Sequence, residues 1–311
     1  MNIIFMTNSE FSFPSLELLV QSKSKILCLV TNPSKRIGRK KRIISDTVKL
    51  KCNELGIDIL EQQDLNDISF KNKLKKYEPD LFVVIAYRIL PKSLLNIPKL
   101  GSINLHGSLL PKYRGAAPIQ WSLINGDKQT GLSTFFIDSK IDTGAIIKQK
   151  NIQIKEYENY GILKERMAIQ GSILLLDTIN SIYNGGATPV MQNDESVTYA
   201  PKITKKMTII DWNSSSDGIH NLIRGLSPLP GAQSRINGKK IKILETRIIE
   251  NIFKSHFKPG QVVDVSKNQL LIKTGHGTIS VIRLQLEGKK SLDIKSFLNG
   301  YTINIGDYFG D

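Results

Sequence analysis

Cysteine is scarce: Cys28 and Cys52 are the only two in 311 residues. Two scattered thiols make neither a disulfide framework nor the paired spacing of a structural zinc site. A reducing cytoplasm and a site without metal are therefore expected. Cys28 lies in the apolar run ILCLV and reads as a small buried hydrophobe. No apolar run approaches the roughly 20 residues of a membrane span. The opening MNIIFMTNSEF has no basic start and no small-residue cleavage site, so it does not read as a signal peptide. Several signatures of nucleotide and hydrolase sites are missing too. FMTNSEFSFPS, after the first apolar run, lacks Gly-x-Gly-x-x-Gly. There is no Gly-x-x-x-x-Gly-Lys-Ser/Thr loop, no Gly-x-Ser-x-Gly elbow and no His-Glu-x-x-His. What remains is metal-free group transfer. Acid is also in short supply: 28 Asp and Glu face 43 Lys and Arg, a net charge of +15. That excess favours a polyanionic partner through counterion release and steering. A lysine-rich genome, with Ile, Lys and Asn plentiful throughout, is the competing explanation.

With 40% hydrophobic and 23% charged residues, the chain is globular and long enough for two domains. In the first half, short apolar runs alternate with amphipathic segments. Ile3–Thr7, Lys25–Thr31, IDIL, Asp80–Ala86 and Ser102–His106 read as strands. Ser15–Ser22, SDTVKLKCNELG and SFKNKLKKY read as helices, the second capped by Ser45 or Asp46 and stopped by Gly56. Such alternation predicts an open, mostly parallel sheet with helices on both faces. A longer helix is predicted over Gly161–Tyr183 and a short one over Asp217–Arg224. From Gln233 onward short β-rich runs recur between turns, YTINIGDYF included, which predicts a small barrel or sandwich. The boundary is set between residues 200 and 201, giving domains 1–200 and 201–311.

The polar groups gather at one strand end. In INLHGSLLPKYRGAAPIQWSLINGD, Asn104 and His106 stand two apart and share a face of the strand. An amide can donate to a developing oxyanion, and an imidazole can exchange a proton near neutrality. His106 is one of four histidines. The bland alternative is a strand-ending Asn and a satisfied surface His. Gly107, Pro111, Gly115 and Pro118 then shape a loop without bulky polar side chains. Asp142, in FFIDSKIDTGAII, adds a carboxylate that can orient a histidine. An Asx turn is the alternative there, and Asp138 the competing acid.

These residues resemble the folate-dependent formyltransferases, and within them the enzymes that formylate methionyl-tRNA. The likeness runs through PDLFVVIAY, ILPKSLLNIPKLGSINLHGSLLP, RGAAPIQ, TYAPKI and IDW, and is most specific in Asn-x-His-x-Ser-Leu-Leu-Pro with a later Asp-x-Gly. It implies a Rossmann-like catalytic domain followed by an OB-like barrel that contacts tRNA. It implies that Asn104, His106 and Asp142 are catalytic and that Ser108, Leu109, Leu110 and Pro111 line the folate pocket. The implied reaction is direct transfer from 10-formyltetrahydrofolate to the amine of initiator methionyl-tRNA. Nothing in the sequence demands more than a monomer. Two loops depart from the family pattern. Thr7-Asn8-Ser9 stands where the family has Gly-Thr-Pro, and Arg88 follows Tyr87 where a glycine is usual.

Ser34–Arg42, SKRIGRKKR, carries Lys35, Arg36, Arg39, Lys40, Lys41 and Arg42 and no acid. It follows the second strand and suits the phosphates of a tRNA acceptor end. The resemblance implies the same, with Arg39 the best match to the family's functional arginine. Residues 202–311 hold 17 Lys and Arg against 9 Asp and Glu, a net +8, with Lys202, Lys205, Lys206, Lys239 and Lys240 as candidates for contacts to the tRNA backbone. A small amine such as an amino sugar nucleotide needs neither basic region. A non-enzymatic RNA- or folate-binding protein would not need the Asn-His-Asp trio. Arg39→Ala is expected to lower use of aminoacyl-tRNA far more than binding of folate; equal losses would contradict its assignment.

Overall fold

The computed structural model describes residues 1–33, 36–37, 42–43, 47–249 and 256–310, with only the backbone for 36–37 and 42–43. The chain forms two compact units. The first comprises Met1–Pro118, Thr130–Gln153 and Lys164–Pro201; the second comprises Ile119–Gln129, Ile154–Leu163 and Lys202–Asp311.

The strands of the first unit are β1 (Asn2–Thr7), β2 (Lys25–Thr31), β3 (Arg36–Ile37), β4 (Arg42–Ile43), β5 (Ile59–Glu61), β6 (Leu81–Ile85), β7 (Ser102–His106), β8 (Gln129–Phe136) and β9 (Ile146–Gln153). Seven of them form one sheet in the order β5-β2-β1-β6-β7-β8-β9. The pairs β1–β2, β1–β6, β2–β5 and β6–β7 are parallel, and β8 runs antiparallel to β7. Both faces are covered, as the continuous apolar strands predict. Ile4, Met6, Cys28, Val30, Phe82 and Val84 pack with Phe70 and Leu74 of the helix Ile68–Lys76 and with Leu94. The alternate residues Ile3, Phe5, Leu29 and Val83 are just as buried on the opposite face. Burial also pushes the Cys28 thiol up to about 12, which suits a hydrophobe and not a nucleophile.

Four helices form where the periodicity places them: α1 (Phe13–Val20), α2 (Thr47–Glu54), α3 (Ile68–Lys76) and α6 (Tyr160–Tyr183). The short α4 (Lys92–Leu95) and α5 (Pro118–Ile124), the latter almost wholly in the second unit, were not predicted from the pattern. Asp67 caps α3, its carboxylate accepting the Phe70 N–H at 2.7 Å. Gly56 stands at φ +66° just past α2, as a helix-stopping glycine does. The proposed α2 caps, Ser45 and Asp46, lie outside the described residues. The chain leaves β1 for β2 and β5 on one side, then returns to β6 and β7 on the other. The carboxyl ends of β1, β6 and β7 thus meet at a topological switch point, where open α/β sheets form their crevice.

The second unit contains α7 (Ser216–Leu226) and α8 (Ile294–Leu298). Its strands are β10 (Ala232–Ile236), β11 (Lys239–Ile249), β12 (Val262–Ser266), β13 (Gln269–Lys273), β14 (Thr278–Leu286) and β15 (Leu292–Asp293). The order is β10-β11-β14-β13-β12, with β15 beside β14, all antiparallel. YTINIGDYF, expected as a strand, forms none. Gly306 at φ +91° breaks its extension, and it contributes only isolated bridges, Phe309 to Ile236 and Tyr308 to Gln261. Those bridges tie the two edges of the sheet together and close it on itself. Trp212 anchors the core inside. Its indole N–H donates to Ser234 Oγ at 3.1 Å, and its ring meets Phe309 edge-on at 5.9 Å. Trp212→Ala is expected to cost about 3–5 kcal/mol, seen as an earlier transition of this unit when urea unfolding is followed by circular dichroism.

Candidate active site

Asn104 and His106 lie at the carboxyl end of β7, between β6 and β8. His106 is 6% exposed, and Phe135 stands edge-on to its ring at 6.5 Å. Its Nε2 lies 2.9 Å from the Tyr113 carbonyl. A carbonyl only accepts, so Nε2 carries the hydrogen and donates. The other nitrogen, Nδ1, then faces Asp142 Oδ2 at 3.7 Å. In the neutral ring both of these atoms are acceptors. The gap between them is therefore a seat for one proton, open to a group that arrives with one. Asn104 adds a second demand: its Oδ1 is buried with no hydrogen-bond partner. The two ends of a side-chain amide exchange places by rotation. The orphan thus marks a position where a ligand atom would complete the bonding.

Asp142 reaches this position through a constrained loop between β8 and β9. It adopts φ +53°, a left-handed conformation costing about 1–3 kcal/mol outside glycine, though acids tolerate it better than most. Oδ2 accepts the Gly115 N–H at 2.8 Å. Two residues on, a Cβ at Gly144 would sit 1.6 Å from the Phe136 carbonyl oxygen, so the loop turns only with glycine there. The Asx turn that competed for Asp142 belongs to Asp138. That carboxylate accepts from Lys140 N at 2.9 Å and from the Thr143 hydroxyl at 2.7 and 2.8 Å. Asp142 is left to face the imidazole.

Ser108 to Pro111 form a wall more than a set of polar contacts. Ser108 is fully buried, its hydroxyl donating to the Lys112 carbonyl at 2.6 Å. Its own carbonyl accepts from Ser133 Oγ at 2.7 Å. The Leu110 N–H donates to the same Ser133 oxygen at 3.0 Å, and Gln149 Nε2 donates to the Leu110 carbonyl at 2.9 Å. Leu109 packs over Gly131, where a Cβ would lie 2.4 Å from its methyl group. These hydrogen-bonding groups of Ser108 and Leu110 are engaged internally, so the segment offers shape. A separate open cleft of about 450 Å³ lies off the ends of β5 and β6, with Gln63, Asn66, Arg88, Leu90, Lys92 and Ser139 among its walls.

Both departures from the family pattern have local supports. Asn8 Oδ1 accepts from the Thr31 hydroxyl at 3.0 Å and from Asn32 N at 2.9 Å, bracing the ends of β1 and β2. Arg88 donates to the carbonyls of Gln63 and Gln62, both at 2.6 Å, and to the Tyr87 hydroxyl at 2.9 Å. Its guanidinium stands 5.2 Å from the Tyr87 ring centre. Burial raises the Tyr87 phenol, and Arg88 opposes that rise. Arg88 therefore staples the loop after β6 to the segment after β5.

Of the basic stretch, Lys35, Arg39, Lys40 and Lys41 lie outside the described residues. Arg36 and Arg42 fall in a two-rung antiparallel ribbon, Arg36 opposite Ile43 and Ile37 opposite Arg42. In the second unit Lys202, Lys205, Lys206, Lys239 and Lys240 are exposed. Lys239 lies 5.3 Å from the Tyr301 ring centre and Lys240 is 3.6 Å from Glu287, so these two already have partners.

Residues that the sequence did not single out hold the site together. Arg114 is 6% exposed, with Nη2 2.8 Å from Gln192 Oε1 and 2.9 Å from Asp194 Oδ1. Tyr113 supplies the carbonyl for His106. Ser133 receives or donates three of the bonds around the 108–111 wall, the third from Gln149 Nε2 at 2.8 Å. Arg114 was visible as a charged residue inside RGAAPI. Ser133, Gln149 and Gln192 carried no local signal.

An amide, an imidazole and a carboxylate converge at the switch point of a Rossmann-like sheet, an arrangement chemically suited to group transfer. The chain belongs to the formyl transferase family: its family model matches residues 1–179, and the model of the formyl transferase C-terminal domain matches residues 202–302. The methionyl-tRNA formyltransferase of Thermodesulfovibrio yellowstonii is 42% identical over 305 residues, covering 98% of this chain and 97% of that one. Among solved structures, an N-formyltransferase from Helicobacter canadensis, in complex with folinic acid and dTDP-3-aminofucose, matches with a TM-score of 0.65 at 21% identity, covering 90% of this chain and 98% of that one. HypX from Aquifex aeolicus matches with a TM-score of 0.64 at 15% identity; the match covers 98% of this chain but spans only 49% of HypX. These two likenesses establish the shared fold.

Ser133→Ala removes one hydroxyl that serves the Ser108 carbonyl, the Leu110 N–H and Gln149. Leaving such buried groups unpaired costs about 1–3 kcal/mol each. The variant is expected to unfold at lower denaturant and to bind a folate more weakly, measured by chemical denaturation and titration calorimetry.

Proposed function

We propose that this chain transfers the formyl group of 10-formyltetrahydrofolate to the α-amino group of methionyl initiator tRNA, giving N-formylmethionyl-tRNA for translation initiation. The observation that carries the reading is the meeting of His106 Nδ1 and Asp142 Oδ2 at 3.7 Å beside the orphaned Asn104 Oδ1. A formyl donor and an amine suit that set. One needs an amide partner for its oxygen, and the other must lose a proton as it attacks. The end-to-end likeness to a methionyl-tRNA formyltransferase favours this acceptor over an amino sugar, as do the two basic regions. We read the enzyme as a cytoplasmic monomer that needs no metal.

When bound, the co-substrate supplies an activated formyl carbon and the exocyclic N10 arylamine of tetrahydrofolate as leaving group, which departs with the proton that the incoming amine loses. Asn104 is the amide that would hold the formyl oxygen. His106 keeps Nε2–H on the Tyr113 carbonyl and so presents Nδ1 in one fixed orientation. Asp142, held by Gly115 N–H, stabilises the imidazolium that forms when Nδ1 takes the amine's proton. The Ser108–Pro111 wall shapes the floor beside them. The basic residues bind phosphate and carry no part of the proton transfer.

The test is formyl transfer from 10-formyltetrahydrofolate to methionyl initiator tRNA, with methionyl elongator tRNA and an amino sugar nucleotide alongside. Transfer to the initiator alone is expected. It should fall steeply with salt, since every phosphate that a lysine or arginine neutralises steepens the dependence. A flat salt response, or transfer to the sugar, would overturn the tRNA reading.

A further inference from the structure

Gln192 has every hydrogen-bonding position of its amide in use. Nε2 donates to the carbonyls of Asp142 and Gly144, both at 2.9 Å. Oε1 accepts from Arg114 Nε at 3.0 Å and Nη2 at 2.8 Å. The residue after Arg114 is Gly115, whose N–H holds the Asp142 carboxylate at 2.8 Å. The connections therefore close a ring. Gln192 grips the backbone of Asp142, Arg114 grips Gln192, and the backbone beside Arg114 grips the side chain of Asp142.

The ring spans the part of the loop that most needs holding. Asp142 is left-handed at φ +53°, and Gly144 has no room for a Cβ. Gln192 bridges the carbonyls on either side of Thr143 and so fixes both positions at once. The segment that carries Gln192 is itself anchored at both ends. Val190 exchanges backbone hydrogen bonds with Ile146, each at 2.8 Å. The Arg114 N–H donates to the Thr198 carbonyl at 2.9 Å, and Ala200 N donates back to Arg114 O at 2.8 Å. An amide is the group that fits here. It gives hydrogens to two carbonyls on one side and takes hydrogens from a guanidinium on the other.

We propose that Gln192 is a positioning residue for the transfer reaction: through the Asp142 backbone it sets the carboxylate opposite His106 Nδ1. The proposal rests on the reading of Asn104, His106 and Asp142 as the reacting centre. Its effect belongs to the turnover step, since Gln192 is assigned no contact with either substrate.

Gln192→Glu isolates the role. It preserves size and an acceptor for Arg114, but removes both N–H donors and turns oxygen lone pairs toward two carbonyls. The expected result is a kcat lower by about 100-fold, the scale of an ångström-sized misplacement, with both KM values little changed and a modestly lower melting temperature, because two carbonyls lose their donors. In an Asp142→Asn background the same substitution should cost almost nothing further, because residues acting as one unit are not additive. Amide hydrogen exchange over residues 140–146 should speed up in the full-length variant. Should that variant fold poorly, Arg114→Lys, which keeps a cation but loses the two-point hold on Oε1, should show the same split. A kcat equal to wild type, a full additional loss in the Asp142→Asn background, or unaltered exchange would overturn the proposal. Faster exchange in a protein whose wild type transfers no formyl group would support the positioning and sink the reading of the centre.

Discussion

The imidazole of His106 has one orientation because a backbone carbonyl can only accept. The bond from Nε2–H to Tyr113 fixes which nitrogen is protonated and which is free. From that constraint the rest of the site follows. The free nitrogen must face a group that tolerates a proton between them, and Asp142 is there. The carboxylate must be delivered by backbone that turns back sharply, so a left-handed aspartate and a glycine without room for a Cβ follow one another closely. The sheet supplies the frame, since β7 is flanked by β6 on one side and β8 on the other and its end cannot drift.

Binding and chemistry use different physics in this chain. Asn104, His106 and Asp142, the groups proposed to react, lie in a largely buried setting, where a few hydrogen bonds decide geometry and small displacements matter. The positive charge is spread over exposed lysines and arginines, whose attraction to phosphate is long-ranged and tolerant of position. Lys239 and Lys240 already have neighbours in the ring of Tyr301 and the carboxylate of Glu287, so binding a polyanion there is an exchange of partners. Affinity and catalytic precision can therefore change independently.

Much of this architecture was legible in the sequence, and the reasons are local. β7 was readable to the residue because apolar positions end abruptly in Asn-x-His. α6 was readable from a long periodic run, and β6 from five consecutive apolar residues. Asp142 was ambiguous against Asp138, since both precede turn-forming residues and only the fold shows which carboxylate is consumed by the turn. YTINIGDYF misled because Tyr301, Ile303 and Ile305 alternate with polar residues as in a strand, while its partners are single residues on two separate edges. Gln192 was invisible: it lies 50 residues from Asp142, and an isolated glutamine in a coil gives no hint that its amide joins two loops. Sequence patterning reports what a segment buries, and it is mute about a single long-range hydrogen bond.

The closing of the second unit by Tyr308 and Phe309 has a consequence for how the protein is made. Every strand of that unit emerges from the ribosome before the residues that join its edges. Ile119–Gln129 and Ile154–Leu163, which belong to the same unit, emerge earlier still. During synthesis these segments wait without the partners they will pack against, while the parallel sheet can already assemble. Late in its synthesis, once β10 onward has emerged, the nascent chain thus carries an assembled first sheet and a second one whose edges are still open. That interval is when a chaperone has most to protect, and it ends only when Phe309 seats beside Trp212.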